Sequence, residues 1–300
     1  MTPQTQAYLD LALLGQNAWW RYALGAVIIT VSWLGLGLVP YTLLGLAGIF
    51  DPRLDFIAVN FSIFLMFAGL AATMKWLHRR PLLSLVTAAA RVDWQRIKRG
   101  AVVWLVIAAV LSLMEFLFFY DRFYLSFNAL KFFPFLLLVL LLTPLQCAAE
   151  ELVFRGYAMQ GFGRLTRSPA LIAILSSLVF TLPHLLNPEA QRHGVLIMGA
   201  NYFAIGMLLA TITLRDGRLE LAIGVHAANN VFLAVVANYE ESALRTESIF
   251  TARELDPYVS LVALIGGALV FHAWIFRGAS PPDDAPGAQR GEALDRRDLR

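Results

Sequence analysis

Apolar stretches of roughly twenty residues, separated by short polar breaks, recur along almost the whole chain. A helix needs about 20 predominantly apolar residues to cross the hydrocarbon core of a bilayer, so this recurrence sets lipid as the solvent before any motif is read. The stretches run Tyr22–Leu46, Phe56–Met74, Ala101–Phe119, Phe133–Gly156, Pro169–Leu186, Val195–Leu214, Leu219–Val236 and Val259–Phe276. In lipid each backbone N–H and C=O must be paired inside the segment or around a closed barrel, and a barrel would show short alternating strands in place of continuous apolar runs. The expected fold is therefore all-α: a polytopic transmembrane helical bundle of about eight spans, with residues 1–277 as one membrane domain. Composition agrees, since a chain 58% hydrophobic and 15% charged is too apolar for an ordinary soluble domain. A nucleic-acid partner is not expected, because no soluble face carries the basic side chains it would need.

Basic loops orient the bundle. Lys75, Arg79, Arg80, Arg91, Arg96, Lys98 and Arg99 crowd the connection between the second and third stretches, which places that loop in the cytoplasm. An even number of spans then puts both termini inside, with Arg155, Arg164, Arg167, Arg215 and Arg218 on the same side. The outer loops are acidic or mixed, as at Asp51, Asp55, Glu240, Glu241 and Glu254. The expected location is the cell (plasma) membrane, or the inner membrane of a bacterium, with the bilayer itself as a partner. Between Trp76 and Arg99 the apolar run Leu82–Ala90 suggests either a plain basic loop, the favoured reading, or an amphipathic helix on the membrane surface. The first twenty residues lack a basic segment ahead of an apolar core, so no cleaved signal peptide is expected. Residues 278–300, rich in Pro, Asp, Gly and Arg, are expected to form a disordered cytoplasmic tail.

An ionisable side chain in the bilayer interior costs about 2.5 to 3.5 kcal/mol on insertion scales, so each one is a functional candidate. Glu150 and Glu151 follow the apolar run Phe135–Leu142, and Arg155 lies one turn beyond Glu151 on the same face. That arginine can offset one acid; Glu150, about 100° around the helix, needs another partner. The fifth stretch supplies Phe180 and His184 four residues apart, and the seventh supplies His226 and Asn230 at the same spacing, with Asn229 on a neighbouring face. A carboxylate, two imidazoles and an amide are the groups that activate a water and stabilise an oxyanion, the two requirements of peptide hydrolysis. The lone Cys147, one turn before the acids, reads as a packed apolar thiol and not as a nucleophile. Gly35, Gly37, Gly45 and Gly48 in the first stretch, and Gly199 and Gly206 in the sixth, read as close helix contacts without a catalytic role. His78, His193 and His272 read as polar side chains at span ends.

With these residues in order, the chain resembles the CPBP family of intramembrane proteases (CAAX prenyl protease type II and bacteriocin-processing, Abi-like). The motifs of that family are a double glutamate with an arginine four residues after the second, a Phe-x-x-x-His and a His-x-x-x-Asn. Here they are Glu150-Glu151-Leu152-Val153-Phe154-Arg155, Phe180 to His184, and His226 to Asn230, within a core of about 133–236. The resemblance implies an eight-helix fold with a cytosol-accessible cavity. It makes Glu150 the base, has Glu151 and Arg155 orient the site, and lets His184, His226 and Asn230 complete it. The implied activity is cleavage of a membrane-anchored or lipidated polypeptide, as a CAAX-type endopeptidase. Two chemistries stay open: zinc held by Glu150, His184 and His226, or a water activated by Glu150 and His184 without a metal. The alternatives to a peptidase are a non-catalytic membrane immunity or binding protein and, third, a proton-coupled transporter, against which all five polar candidates gather in the second half of the chain.

Depth raises a difficulty. With the fourth stretch ending near Gly156, Glu150 lies late in a span that ends at the cytoplasm, while His184 lies late in a span that starts there. On ideal helices they would differ in depth by ~10 Å or more, unless tilt or a break at Pro144 or Pro183 brings them level.

Overall fold

The computed structural model describes residues 1–240, 242, 243 and 246–277; the expected tail, 278–300, and Glu241 lie outside the described residues. Helices account for nearly all of it. In chain order they are α1 Pro3–Asp10, α2 Trp19–Leu46, α3 Pro52–His78, α4 Trp94–Phe118, α5 Ala129–Leu165, α6 Pro169–His184, α7 Pro188–His193, α8 Val195–Asp216, α9 Glu220–Val235 and α10 Pro257–Phe276. Polar residues at the apolar boundaries start them. Asp51, Asp93, Asn128, Ser168 and Asp256 each accept a backbone N–H of the first turn, and Pro52, Pro169 and Pro257 follow where a missing N–H costs nothing.

All eight apolar stretches are helical, but they are not equal. Among the described residues six helices are long and apolar enough to cross a membrane. The other two, α6 and α9, have 16 residues each and rise about 24 Å, short of a hydrocarbon core of about 30 Å. These two short helices carry His184 and His226. The bundle is inverted relative to a soluble protein. Leu137, Leu140, Leu141 and Leu145 of α5, and Leu105, Val106, Val110 and Leu113 of α4, are exposed, while Asn60, Thr143, Gln146, Ser176 and Ser177 are buried. A multi-pass membrane protein is built this way, because lipid takes the apolar side chains and helix partners must take the polar ones.

The depth difficulty disappears because α5 runs on past Gly156 to Leu165. Glu150 stands 15 residues before that end, and His184 stands 15 residues after the start of α6 at Pro169, so in this antiparallel hairpin they are level. Ser176 Oγ fastens the hairpin by donating to Phe154 O at 2.9 Å. Neither proline breaks its helix. The irregularity is a wider, π-type turn at Leu152–Ala158 directly after the two acids. Such bulges free carbonyls and re-aim side chains, and they favour functional sites.

On the side expected to be cytoplasmic, the basic loop is neither a plain loop nor an amphipathic surface helix. Leu82–Leu85 is a short 3₁₀ turn; Ser84, Leu85, Val86 and Thr87 are all buried, Leu85 against α5 and Val86 against Leu219 and Ile223. Arg80 is more than a topological charge: it is 5% exposed and donates to Gln160 Oε1 and Leu11 O, both at 2.7 Å. His78 is likewise buried, 2.7 Å from Gln16 O and 3.0 Å from Tyr157 Oη. On the other side a small sheet joins the loops: β1 Phe123–Leu125 pairs antiparallel with β3 Phe250–Ala252, and β3 pairs parallel with β2 Ala237–Tyr239.

Candidate active site

Four helices converge on the paired acids. Glu151 and Arg155 have no exposed side-chain surface, and Arg155 Nη1 donates to Glu151 Oε1 at 2.7 Å. Burying an ion pair is costly unless its geometry is good and further bonds satisfy it. Here Arg155 Nη2 also donates to Gly206 O at 3.3 Å, and its guanidinium lies 4.2 Å over the Phe180 ring. Gly206 therefore does more than allow packing. A Cβ there would press on Ser177, and the close approach of α8 brings its carbonyl to Arg155.

Phe180 explains the four-residue spacing to His184. One face of its ring meets Arg155, while its backbone carbonyl lies 2.7 Å from His184 Nδ1. A carbonyl only accepts, so Nδ1 carries the proton and Nε2 is the nitrogen left with a lone pair. The His184 ring lies 4.4 Å from that of Phe180 and 5.0 Å from that of Tyr202, and the Phe180 ring lies 6.1 Å from that of His226. The expected residues of α5, α6 and α9 are thus brought together.

His226 is anchored in the same manner. Its Nδ1 lies 2.8 Å from Glu151 Oε1, whose charge is balanced by Arg155. Its Nε2 faces Asn230 Nδ2 at 3.4 Å and Glu150 Oε2 at 3.9 Å. Glu150 differs from its neighbour. Gln146 Nε2 donates to its Oε1 at 3.1 Å, no guanidinium among the described residues pairs with it, and it keeps 6% of its surface exposed. Two acids adjacent in sequence are therefore in unlike situations: Glu151 is locked into a network, and Glu150 is poised at its edge. Cys147 is wholly buried.

The segment 129–232 matches the family model described as type II CAAX prenyl endopeptidase Rce1-like. This stretch is an Rce1-like domain. Its limits enclose every motif residue from Glu150 to Asn230, which agrees with the family named from the motifs. Over 274 residues the chain is 28% identical to "Uncharacterized protein YyaK" of Bacillus subtilis (strain 168), covering 86% of this chain and 91% of that one. The likeness thus extends through the helices that flank the Rce1-like domain. No solved structure gives a significant match.

Whether the Rce1-like domain holds a metal is a question of donors and their placement. Glu150, His184 and His226 are the right donors for a catalytic zinc, and both Nδ1 atoms are anchored as the outer nitrogens of metal-bound histidines are. Yet among the described residues no three His, Cys, Asp or Glu side chains are gathered so as to hold one ion. The donors suit zinc in kind and not in spacing, so no step below runs through a metal.

Several residues of the site carried no signal in isolation. Gln146, one turn before Glu150, was legible as an intramembrane amide but was not singled out. Gly206 was read as a packing residue. Trp104 lies 46 residues before Glu150 on another helix, and nothing in the sequence links the two.

Proposed function

We propose that this protein is an intramembrane endopeptidase, lying in the plasma membrane with both termini in the cytoplasm, that hydrolyses a peptide bond of a membrane-anchored or lipidated polypeptide. One observation carries the proposal. Glu151 has its charge met by Arg155 and His226, whereas among the described residues Glu150 has only the neutral Gln146 amide and a histidine nitrogen 3.9 Å away. A buried carboxylate held this way is a poor structural element and a good proton acceptor.

In the proposed reaction the scissile carbonyl lies between Glu150 and Asn230. Glu150 takes a proton from a water as the water oxygen attacks the carbonyl carbon. His184 Nε2, a lone-pair nitrogen, accepts the water's other O–H and holds it, while His226 Nε2 faces the amide of Asn230. The carbonyl oxygen becomes an oxyanion and meets the amide N–H of Asn230. Glu150 then gives its proton to the leaving nitrogen, the C–N bond breaks, and the carboxylate is restored. A positioned general base contributes about 10²- to 10⁴-fold, and one oxyanion donor about 10²- to 10³-fold. Arg155 touches no reacting atom: it pairs with Glu151, which accepts from His226 Nδ1 and so leaves the Nε2 lone pair facing Asn230.

The test is incubation of the protein, purified in detergent, with a library of membrane-anchored peptides in ¹⁸O-labelled water, with and without a metal chelator. The expected product carries ¹⁸O in its new carboxylate and forms at the same rate with chelator. No product from any peptide would contradict the proposal, and activity lost with chelator and restored by zinc would replace the metal-free scheme.

A further inference from the structure

The amide of Asn230 can stabilise an oxyanion only if its nitrogen, and not its oxygen, faces the site. An asparagine side chain has no such preference of its own, because its two ends are nearly the same shape. The surrounding hydrogen bonds supply the preference.

Trp104 is 2% exposed on α4, and its indole nitrogen can only donate. It donates to Asn229 Oδ1 at 3.1 Å. With its oxygen engaged, Asn229 offers its NH₂, which donates to Asn230 Oδ1 at 3.1 Å. With that oxygen engaged in turn, Asn230 presents its own NH₂ to His226 Nε2 at 3.4 Å. From the opposite end Arg155, which also only donates, fixes Glu151 as acceptor and His226 Nδ1 as donor, so a neutral His226 has its acceptor lone pair at Nε2. The two chains of donors, started by Trp104 and Arg155, meet with matching polarity at one lone pair.

We infer that Trp104 and Asn229 are positioning residues of the active site, which set the amide of Asn230 with its N–H groups turned inward. This rests on the peptidase reading above for its catalytic consequence, and on hydrogen-bond chemistry alone for the polarity. Trp104 lies outside the three sequence motifs, and Asn229 occupies a position that the third leaves unspecified. The helix crossing makes the link possible: Gly224 of α9 packs on Ile97 O, and Gly100 of α4 packs on Leu221 O, so α4 approaches α9 closely enough for the indole to reach Asn229.

Two measurements on the full chain in detergent test it. Trp104→Phe keeps an aromatic ring against Phe271, whose ring lies 6.1 Å away, and removes the donor; Asn229→Leu keeps the volume and removes the relay. Each is expected to lower kcat on an anchored quenched-fluorescent peptide by about tenfold, a fraction of a lost oxyanion donor, with KM unchanged. The double variant is expected to be no worse than the more impaired single one, because both break one chain. Unchanged kcat, or losses that multiply, would overturn the inference. The second measurement needs no substrate. The indole ¹⁵N–¹H resonance of Trp104, assigned by its loss in Trp104→Phe, is expected to shift in Asn230→Ala, two links away. An unmoved resonance overturns the relay; a moved one in a protein that cleaves nothing upholds the polarity and sinks the peptidase reading.

Discussion

Arg155 and Glu151 form an ion pair with no exposed surface, so removing one partner strands a charge where water cannot reach it. Arg155→Met is expected to destabilise the protein by about 3 to 5 kcal/mol, read as a fall in the detergent unfolding midpoint, and Glu151→Gln added to it is expected to recover part of the loss. A double variant no more stable than the single one would mean that the contacts of Arg155 with Phe180 and Gly206 O matter more than the pair. Cys147, wholly buried, is expected to resist alkylation in the folded protein and to react fully in denaturant, as a packing thiol should. The motif residues were legible at this scale because a charge or imidazole inside an apolar run stands out in a single sequence. Trp104 was not, since an indole in a span is ordinary, and Asn229 was visible beside His226 and Asn230 but its partner is set by the packing of a distant helix. Gly35, Gly45 and Gly48 were misread as close contacts: a Cβ at Gly45 or Gly48 would meet nothing, and at Gly35 only Val31 of its own helix.

Helix periodicity and apolarity gave the right element for each of the eight stretches, and the sequence misled only about where they end. The apolar stretch ends at Gly156, and Arg164 and Arg167 beyond it suggest a cytoplasmic loop; in the structure the helix continues to Leu165 and lies against α1 and α6. That single boundary created the apparent mismatch between Glu150 and His184. Length also separates α6 and α9 from the six longer apolar helices, which hydropathy alone does not do. The crossing of α4 and α9 gives a prediction at this scale. A side chain at Gly224 must displace the Ile97 carbonyl, so Gly224→Val is expected to cost at least the ~1 to 3 kcal/mol of an overpacked core and to lower kcat with it, because α9 carries both His226 and Asn230. Gly45→Val, which faces open space, is the control and is expected to leave the unfolding midpoint where it is.

For the whole molecule, the proposed orientation rests on the basic loops and can be tested from outside the cell. Asp121→Cys and Arg167→Cys put exposed thiols on the two opposite faces. With Cys147 buried, a membrane-impermeant maleimide applied to intact cells is expected to label the first and spare the second; the reverse would turn the bundle over and place the substrate on the other side. What the fold does as a unit is hold two adjacent acids in unlike surroundings, one ion-paired with Arg155 inside a network and one held by the Gln146 amide beside the imidazoles. The most direct test of that claim is the rate at which Glu150→Gln cleaves an anchored peptide that the wild type cleaves, with both proteins first matched for unfolding midpoint. The substitution keeps size and removes the base, so the account predicts a loss of at least ~10²-fold with the fold intact, whereas wild-type activity in a folded Glu150→Gln would contradict it.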